Sequence, residues 1–506
     1  MVTLYSAQVV GLDATIISVE ADLSPGLHLF SIVGLADKEV QESRERIGVA
    51  IRAIGARPPH KRSERLIVNL APADIRKEGP AFDLPIALAF LLASGQAQFD
   101  PRGKLFAGEL GLDGSVKPIL GALPMAIVAR AAGFSAIYLP PGSGAEATLV
   151  EGIAIKETPS LTALLDDLEG RRELEAVMPS EPEDAPREAA FDFALIRGQE
   201  QAKRALEIAA AGAHNLLMSG PPGTGKTILA RAIPAILPAM TPDEIIEVTK
   251  IASVAGVLAR RGSAVRARPF RTPHHTASAV AITGGGSAIR PGEVTLAHRG
   301  VLFLDELPAF PPHVLDALRQ PLEDRMITVA RASGAITFPA DFMLVAAMNP
   351  CPCGNLGNPK TECVCAPGAI ARYRRRISGP LLDRIDLVIE VGNVDAEKLE
   401  GSTVGGESAA LRERVERARA RQRERFRGDG IAANSAMTLR HLKTHCRLDE
   451  PSRETLRQAY ERFGMSVRSY YRMIKVSRTI ADLAGLEEIK TDHVLEALQY
   501  RPKNEV

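Results

Sequence analysis

Apolar residues in the first part of the chain fall into short runs that alternate with segments of helical period. Short apolar and β-branched runs bounded by turn residues predict strands, and apolar residues spaced three or four apart predict helices. We therefore expect strands at 15–19, 66–70 and 136–140, helices at 40–54, 82–93 and 120–132, and a hairpin over 105–116. This alternation is typical of an α/β domain.

Three later apolar runs, 216–218, 301–304 and 342–348, each lead into polar residues. A continuous apolar run predicts a strand that is buried on both faces, as in a parallel sheet. Helical period then dominates the end of the chain, and we expect helices at 435–446, 452–463, 467–483 and 491–500. The pattern predicts an α/β core followed by a helical region.

A glycine-rich loop follows the first of these runs, and a helical segment at 228–233 follows the loop. The loop fits the phosphate-binding pattern G-x-x-x-x-G-K-[ST]. Its residues are Gly220, Pro221, Pro222, Gly223, Thr224, Gly225, Lys226 and Thr227. Backbone N–H groups of such a loop turn toward phosphates, and the helix N-terminus adds positive potential. We expect Lys226 to reach the β- and γ-phosphates of ATP and Thr227 to bind Mg²⁺.

The polar residues after the other two runs complete this chemistry. Asp305 and Glu306 follow the run at 301–304, and Asn349 follows the run at 342–348. We expect Asp305 to hold the Mg²⁺ shell, Glu306 to polarise the attacking water, and Asn349 to orient that water beside the γ-phosphate. The sequence therefore predicts ATP hydrolysis.

Four of the five cysteines lie between positions 351 and 365. Cys351, Cys353, Cys363 and Cys365 form two C-x-C pairs, and four thiolates suit the tetrahedral coordination of a structural Zn²⁺. A redox pair or inert thiols remain the alternatives, because the spacing differs from the commoner C-x-x-C. Cys446 stands apart and is expected to be a small buried hydrophobe.

Composition limits the remaining possibilities. A chain of 506 residues exceeds one core, so about two to four domains are expected. No apolar run is long enough to span a bilayer and no signal peptide is evident, so we expect a cytoplasmic protein without a membrane partner. The formal net charge is +1, so any DNA-binding surface must come from local basic clusters.

Residues 76–82 and 108–123 resemble the proteolytic domain of Lon-type proteases, which has the S5 fold. The resemblance implies a Ser–Lys dyad, but the two positions hold Ala81 and Leu123. Neither side chain offers a nucleophile or a base, so Ser–Lys acyl chemistry is not available here. We interpret residues 1–170 as a Lon-protease-like domain that serves scaffolding or partner contact.

The phosphate loop and the segments 270–278, 304–308 and 378–386 resemble magnesium-chelatase-type AAA+ ATPases. With the Lon-like domain and the cysteine cluster, the whole chain resembles the ComM/YifB family. The resemblance implies an α/β multidomain fold with an AAA+ P-loop core and a C-terminal helical lid. It also implies a homo-hexameric DNA helicase that drives branch migration during natural transformation, with recombination proteins as partners.

The same resemblance implies roles for three arginines. Arg384 corresponds to the arginine finger that reaches a neighbouring subunit's nucleotide. Arg468 corresponds to the second sensor arginine at the γ-phosphate, with Arg472, one turn along, as the competing choice. Arg331, near the tip of a hairpin expected over 327–338, corresponds to a basic residue that contacts DNA in the pore; a solvated turn arginine is the alternative.

These features suggest five segments. They are a Lon-like domain at 1–170, a proline-rich linker at 171–190, an AAA+ core at 191–395, an arginine-rich helical connector at 396–430 and a lid at 431–506. The connector is either a solvated face or a surface that contacts phosphates. A remodelling ATPase that acts on a protein, or a metal-insertion motor of the magnesium-chelatase type, is the alternative function.

Overall fold

The computed structural model describes residues 1–26, 29–59, 64–179, 192–258, 264–286, 289–331, 334–359, 361–394 and 406–501. Within it the chain forms two compact units. The first unit comprises Met1–Glu183 and Pro242–Arg266, and the second comprises Asp184–Thr241 and Ala267–Val506. Each unit has its own hydrophobic core.

The elements of the first 183 residues alternate between strands and helices. They are β1 Val2–Val10, β2 Asp13–Pro25, β3 Leu29–Val33, α1 Lys38–Ala53, β4 Glu64–Ala71, α2 Asp83–Ala93, β5 Lys104–Phe106, β6 Glu109–Leu110, β7 Val116–Lys117, α3 Ala122–Ala131, β8 Ala136–Leu139, α4 Gly144–Ala147, β9 Ala154–Glu157 and α5 Leu161–Leu168.

A seven-stranded mixed sheet with the order β3-β4-β2-β1-β5-β8-β9 forms the centre of this unit. Helix α2 is apolar and buried almost throughout, which is why its sequence lacks a polar face. The strands and helices expected in this region are confirmed. The expected hairpin over 105–116 is confirmed only in part, because β5 joins the large sheet and only β6 and β7 pair with each other.

The remaining elements, in chain order, begin with the helix before the phosphate loop. They are α6 Glu200–Gly212, β10 Leu216–Ser219, α7 Lys226–Ala232, α8 Pro242–Ala255, β11 Phe270–Arg271, α9 Ala279–Thr283, β12 Gly284–Gly285, β13 Arg290–Pro291, α10 Glu293–Leu296, β14 Val301–Leu304, α11 Pro312–Ala317, α12 Arg319–Asp324, β15 Met326–Arg331, β16 Gly334–Pro339, β17 Met343–Met348, α13 Pro367–Arg374, α14 Gly379–Leu382, β18 Leu387–Glu390, α15 Glu407–Arg425, α16 Leu439–His445, α17 Glu450–Phe463, α18 Val467–Ala484 and α19 Thr491–Gln499.

A five-stranded parallel sheet with the order β11-β14-β17-β10-β18 forms the core of the second unit. Every residue of β14 and β17 is buried, which explains their continuous apolar runs. Strand β17 lies between β14 and β10, so the three segments expected to bind nucleotide end beside one another. The structure confirms a mixed α/β fold with a parallel sheet and a helical C-terminal region.

Two parts of the structure differ from the boundaries expected from the sequence. Helix α8 lies in the range 191–395 that we expect for the AAA+ core, but residues 242–266 group with the first unit. Residues at the start of the expected linker pair with strand β9. Val177 N donates to Ile155 O at 2.7 Å, and Ala176 forms an isolated antiparallel β-bridge with Lys156. Residues 180–190 of that linker lie outside the described residues.

The arginine-rich helix α15 packs against α6 and α18 rather than presenting all its arginines to solvent. Arg414 Nε lies 2.5 Å from Glu207 Oε1, and Arg419 Nη2 donates to Ala210 O at 3.1 Å. Arg425 pairs with the buried Asp482 of α18. These arginines therefore hold α15 on α6 and α18. The part of the connector at 396–405 lies outside the described residues.

Candidate active site

The polar residues expected to bind nucleotide meet at one edge of the parallel sheet. Strands β10, β14 and β17 are parallel neighbours, and the phosphate loop, Asp305 and Asn349 follow their carboxyl ends. Ligands bind at this edge in open α/β sheets. The strand order alone thus brings together residues that lie more than a hundred positions apart.

Lys226 is held inside the phosphate loop. Its Nζ donates to Gly220 O at 2.7 Å and to Pro221 O at 2.8 Å, and it lies 3.3 Å from Asn349 Oδ1. Burial lowers the pKa of Lys226, and the nearby carboxylate of Asp305 opposes that effect. The loop therefore places a cation between the phosphate-binding backbone and Asn349, as an ATP site requires.

Thr227 and Asp305 form the second contact across the sheet edge. Thr227 Oγ1 donates to Asp305 Oδ2 at 2.8 Å, and Glu306 N donates to Asp305 Oδ1 at 2.9 Å. A hydroxyl and a carboxylate at this distance suit a shared Mg²⁺, which prefers hard oxygen ligands. Glu306 is exposed, and its backbone φ of 52° lies in the left-handed region.

Backbone conformation at one position and close packing at another explain why two positions of the phosphate loop are glycine. Gly225 has a φ of 89° where helix α7 begins, a left-handed conformation that glycine adopts without strain. A Cβ at Gly220 would lie 2.1 Å from Val391 O, so only glycine fits there. The loop can therefore turn its N–H groups inward.

The four cysteines of the 351–365 segment converge. Their Sγ atoms all lie within 4.8 Å of one another, and those of Cys351 and Cys353 are 3.4 Å apart. Cys363 Sγ lies 3.6 Å from Cys351 Sγ and 3.7 Å from Cys353 Sγ. Sulfurs around a tetrahedral Zn²⁺, with Zn–S bonds of about 2.3 Å, are separated by about 3.8 Å. The donor set and its spacing therefore fit a metal ion.

Arg384 and Arg468 share one acidic partner, Glu323 of α12. Arg384 forms an ion pair with Glu323 and donates from Nη1 to Pro380 O at 2.6 Å. Arg468 Nη2 lies 3.4 Å from Glu323 Oε1. Both arginines line a cavity of about 700 Å³. Among the described residues, no hydrogen bond or ion pair joins either arginine to the phosphate loop.

The competing arginine, Arg472, is buried in the same helix. Its Nη1 donates to Ile385 O at 2.7 Å, a second bond reaches Asp383 O, and Nε lies 3.6 Å from Asp386. Burial lowers its pKa. Arg472 thus holds α18 on the loop before β18, whereas Arg468 is exposed.

Arg331 ends strand β15, in the two-stranded hairpin that β15 forms with β16. The expected hairpin is confirmed, and Arg331 pairs with Gly334 at its tip. The side chain of Arg331 lies outside the described residues, so its DNA contact stays a prediction.

The sequence analysis missed Glu323 and Tyr373. Burial raises the pKa of Tyr373, the Asn349 backbone N–H opposes this rise, and the charge of Glu306 adds to it. Tyr373 therefore lies beside two expected catalytic residues. It comes from α13, beyond the cysteine segment, and no local motif marks either residue.

Apolar side chains occupy the two positions that the resemblance assigns to a Ser–Lys dyad. Leu123 is fully buried, and Ala81 packs against the neighbouring apolar cluster. The Lon-like character of residues 1–170 stays a prediction, because the family model that matches there is a magnesium-chelatase one.

Family models match three parts of the chain. The model described as magnesium chelatase, subunit ChlI, matches residues 192–399. The model described as subunit ChlI of Mg-chelatase matches 19–143, and the C-terminal model of subunit ChlI matches 405–501. The matches cover both units. None of the described helices is long and apolar enough to cross a membrane.

Two relatives align with almost the whole of this chain, and a third aligns with a part of it. Competence protein ComM of Haemophilus influenzae is 41% identical over 503 residues, covering 98% of this chain and 97% of the relative. Protein YifB of Escherichia coli is 40% identical over 500 residues, covering 98% and 96%. The magnesium-chelatase 38 kDa subunit of Cereibacter sphaeroides is 31% identical over 178 residues, covering 32% and 53%. The chain therefore belongs to the ComM/YifB family of magnesium-chelatase-like AAA+ proteins.

Proposed function

We propose that this protein is an ATP-driven motor that moves DNA, promoting branch migration of recombination intermediates as a ring of six identical subunits. The observation that supports ATP hydrolysis most directly is the meeting of Lys226, Thr227, Asp305 and Asn349 at one sheet edge. ATP and Mg²⁺ fit this arrangement of donors. Bound Mg²⁺ would neutralise charge on the phosphates.

In this mechanism the protein's own groups divide the work. Lys226 and the loop backbone bind the β- and γ-phosphates, and Thr227 and Asp305 hold the Mg²⁺ shell. Asn349 orients the attacking water, and Glu306 accepts its proton. Glu306 is exposed in the structure, as access to a water molecule requires.

The positions of Arg384 and Arg468 support a site shared between subunits. Both contact Glu323 and line the same cavity, and neither contacts the phosphate loop of its own chain among the described residues. A neighbouring copy can supply an arginine that stabilises transition-state charge. We therefore assign both arginines to the subunit interface of the proposed hexamer.

DNA as substrate is supported by similarity to a relative named competence protein. Arg331 at the β15–β16 tip is the proposed contact with the DNA backbone. We also propose that Cys351, Cys353, Cys363 and Cys365 bind one structural Zn²⁺, on the basis of their sulfur separations.

The test is ATP turnover measured alone, with single-stranded DNA, with a four-way junction and with an unfolded polypeptide. Stimulation by either DNA, lost in Arg331→Ala, is the expected result. Stimulation by the polypeptide alone would favour a remodelling ATPase. Indifference to all three would favour a metal-insertion motor, for which similarity to the magnesium-chelatase subunit is the supporting observation.

A further inference from the structure

We propose that the metal site formed by the four cysteines controls the nucleotide site, because the metal-bound segment holds the phosphate loop and Asn349 in place. The segment 350–365 is called here the cysteine loop. This inference concerns regulation of the same site and rests on the proposed ATP hydrolysis.

The cysteine loop begins directly after strand β17 and Asn349. Asn349 follows β17, and Cys351, which is fully buried, comes two residues later. Asn349 Oδ1 lies 3.3 Å from Lys226 Nζ. A metal ion that fixes Cys351 therefore also limits where the Asn349 side chain can lie.

The cysteine loop also packs directly against the phosphate loop. A Cβ added at Gly354 would lie 2.6 Å from Cδ of Pro222, so the backbone at 354 packs against the proline ring. Pro222 belongs to the phosphate-binding motif, whose backbone N–H groups must face the nucleotide. Movement of the cysteine loop would remove this support.

One further contact fixes the far side of the loop. Asn393 Nδ2 donates to Asn358 Oδ1 at 3.3 Å, which joins the loop to the segment after β18. Beyond the loop, α13 brings Tyr373 beside the Asn349 backbone and Glu306. The segment that follows the cysteine loop therefore also reaches the backbone of Asn349.

A cross-link is needed because the loop has little regular structure of its own. Its described residues, 350–359 and 361–365, contain no helix or strand. Four thiolates can share this space only when a divalent cation offsets their charge, and such an ion would cross-link both ends of the loop. Loss of the metal is therefore expected to release Pro222 and Asn349 together.

A pair of glycine substitutions separates contact with the phosphate loop from backbone strain. Gly354 and Gly357 both lie in the cysteine loop, with φ values of 81° and 78°, so alanine is similarly strained at either. Only at Gly354 does a Cβ meet Pro222; at Gly357 it meets nothing within 4 Å. Gly357→Ala is thus the matched control for Gly354→Ala.

The experiment measures three quantities in both variants and the wild type: zinc content by elemental analysis, affinity for a fluorescent ATP analogue, and ATP turnover. We expect one zinc per chain in all three proteins. We expect Gly354→Ala to turn over ATP about 10- to 100-fold more slowly and to bind the analogue more weakly than Gly357→Ala. Equal affinity and turnover in the two variants would overturn the inference.

A second arm removes zinc from the wild type with a chelator and then adds Zn²⁺ back. Nucleotide affinity is expected to fall on removal and to recover on addition, in parallel with zinc content. Unchanged affinity in zinc-free protein would overturn the inference. Because affinity is measured without turnover, a chain that binds but never hydrolyses ATP would contradict the proposed function while leaving this test intact.

Discussion

At the scale of single residues, the nucleotide site depends on charges held in fixed places. Lys226 is buried among two carbonyl groups and Asn349, and Thr227 donates to Asp305. The sequence singles out these residues because they lie in a contiguous motif or directly after apolar strands, and their nucleotide-binding roles stay a prediction. Glu323 and Tyr373 were missed because their roles arise only from tertiary contacts.

Substitution of Glu306, the proposed general base, separates ATP binding from ATP hydrolysis. Glu306→Gln keeps the shape of the side chain but removes its ability to accept a proton, so ATP turnover should fall about 100-fold or more. Affinity for an ATP analogue should stay within about twofold of the wild type, whereas Lys226→Ala should abolish binding. A Glu306→Gln variant that turns over ATP normally would exclude Glu306 as the base.

Glu146 predicts how the stability of the first unit depends on pH. Burial raises the pKa of Glu146 to about 7, and the Ser253 hydroxyl and the Leu123 backbone only partly oppose this effect. Glu146 Oε2 is buried without a hydrogen-bond partner among the described residues. The ionised form is therefore penalised in the folded state.

The raised pKa of Glu146 determines whether stability rises or falls with pH. Between about pH 4.5 and 7 the folded state keeps a proton that the unfolded state loses, so stability falls as pH rises through this window. The loss amounts to roughly 3 kcal/mol by pH 8. Glu146→Gln should remove this slope and raise the melting temperature at pH 8, as measured by thermal unfolding at several pH values. An unchanged slope would contradict the assignment.

At the scale of elements, hydrophobic period predicted most helices and strands, since each buries one face or lies wholly inside. The hydrophobic period could not predict that β5 joins the large sheet or that α8 groups with the first unit. The period indicates the secondary structure of a segment, but it does not indicate which other segment packs against it. Similarly, Arg468 and Arg472 lie one turn apart, and only packing shows that Arg472 is buried.

The attachment of α15 to α18 can be tested at Asp482. This buried carboxylate accepts from Arg425 at 2.8 Å, from Asn434 at 2.8 Å and from Arg478 at 3.2 Å. Asp482→Ala leaves buried arginines uncompensated and should lower the free energy of unfolding by about 3–5 kcal/mol.

The matched control is Arg417→Ala, which removes an exposed pair with Glu413 on α15. This change should cost about 0.5 kcal/mol or less, because exposed pairs are well solvated. Urea unfolding of both variants measures the difference. Similar stability of the two variants would show that the Asp482 cluster does not hold the helices together.

At the scale of the whole molecule, the account requires that one subunit complete another's site. Arg384→Ala should bind ATP normally and hydrolyse it at least about 100-fold more slowly. Mixing it with Lys226→Ala subunits should restore part of the activity, because a mixed ring contains interfaces with an intact loop and an intact arginine. Failure of every mixture to hydrolyse ATP would contradict a shared site.

The measurement that tests the central claim most directly is branch migration of a mobile four-way DNA junction, followed on the wild type, Lys226→Ala and Arg331→Ala with ATP and Mg²⁺. We predict that the wild type converts the junction to duplex products, that Lys226→Ala is inactive, and that Arg331→Ala hydrolyses ATP without moving DNA. A wild type that hydrolyses ATP but leaves the junction intact would contradict the proposal of a DNA motor.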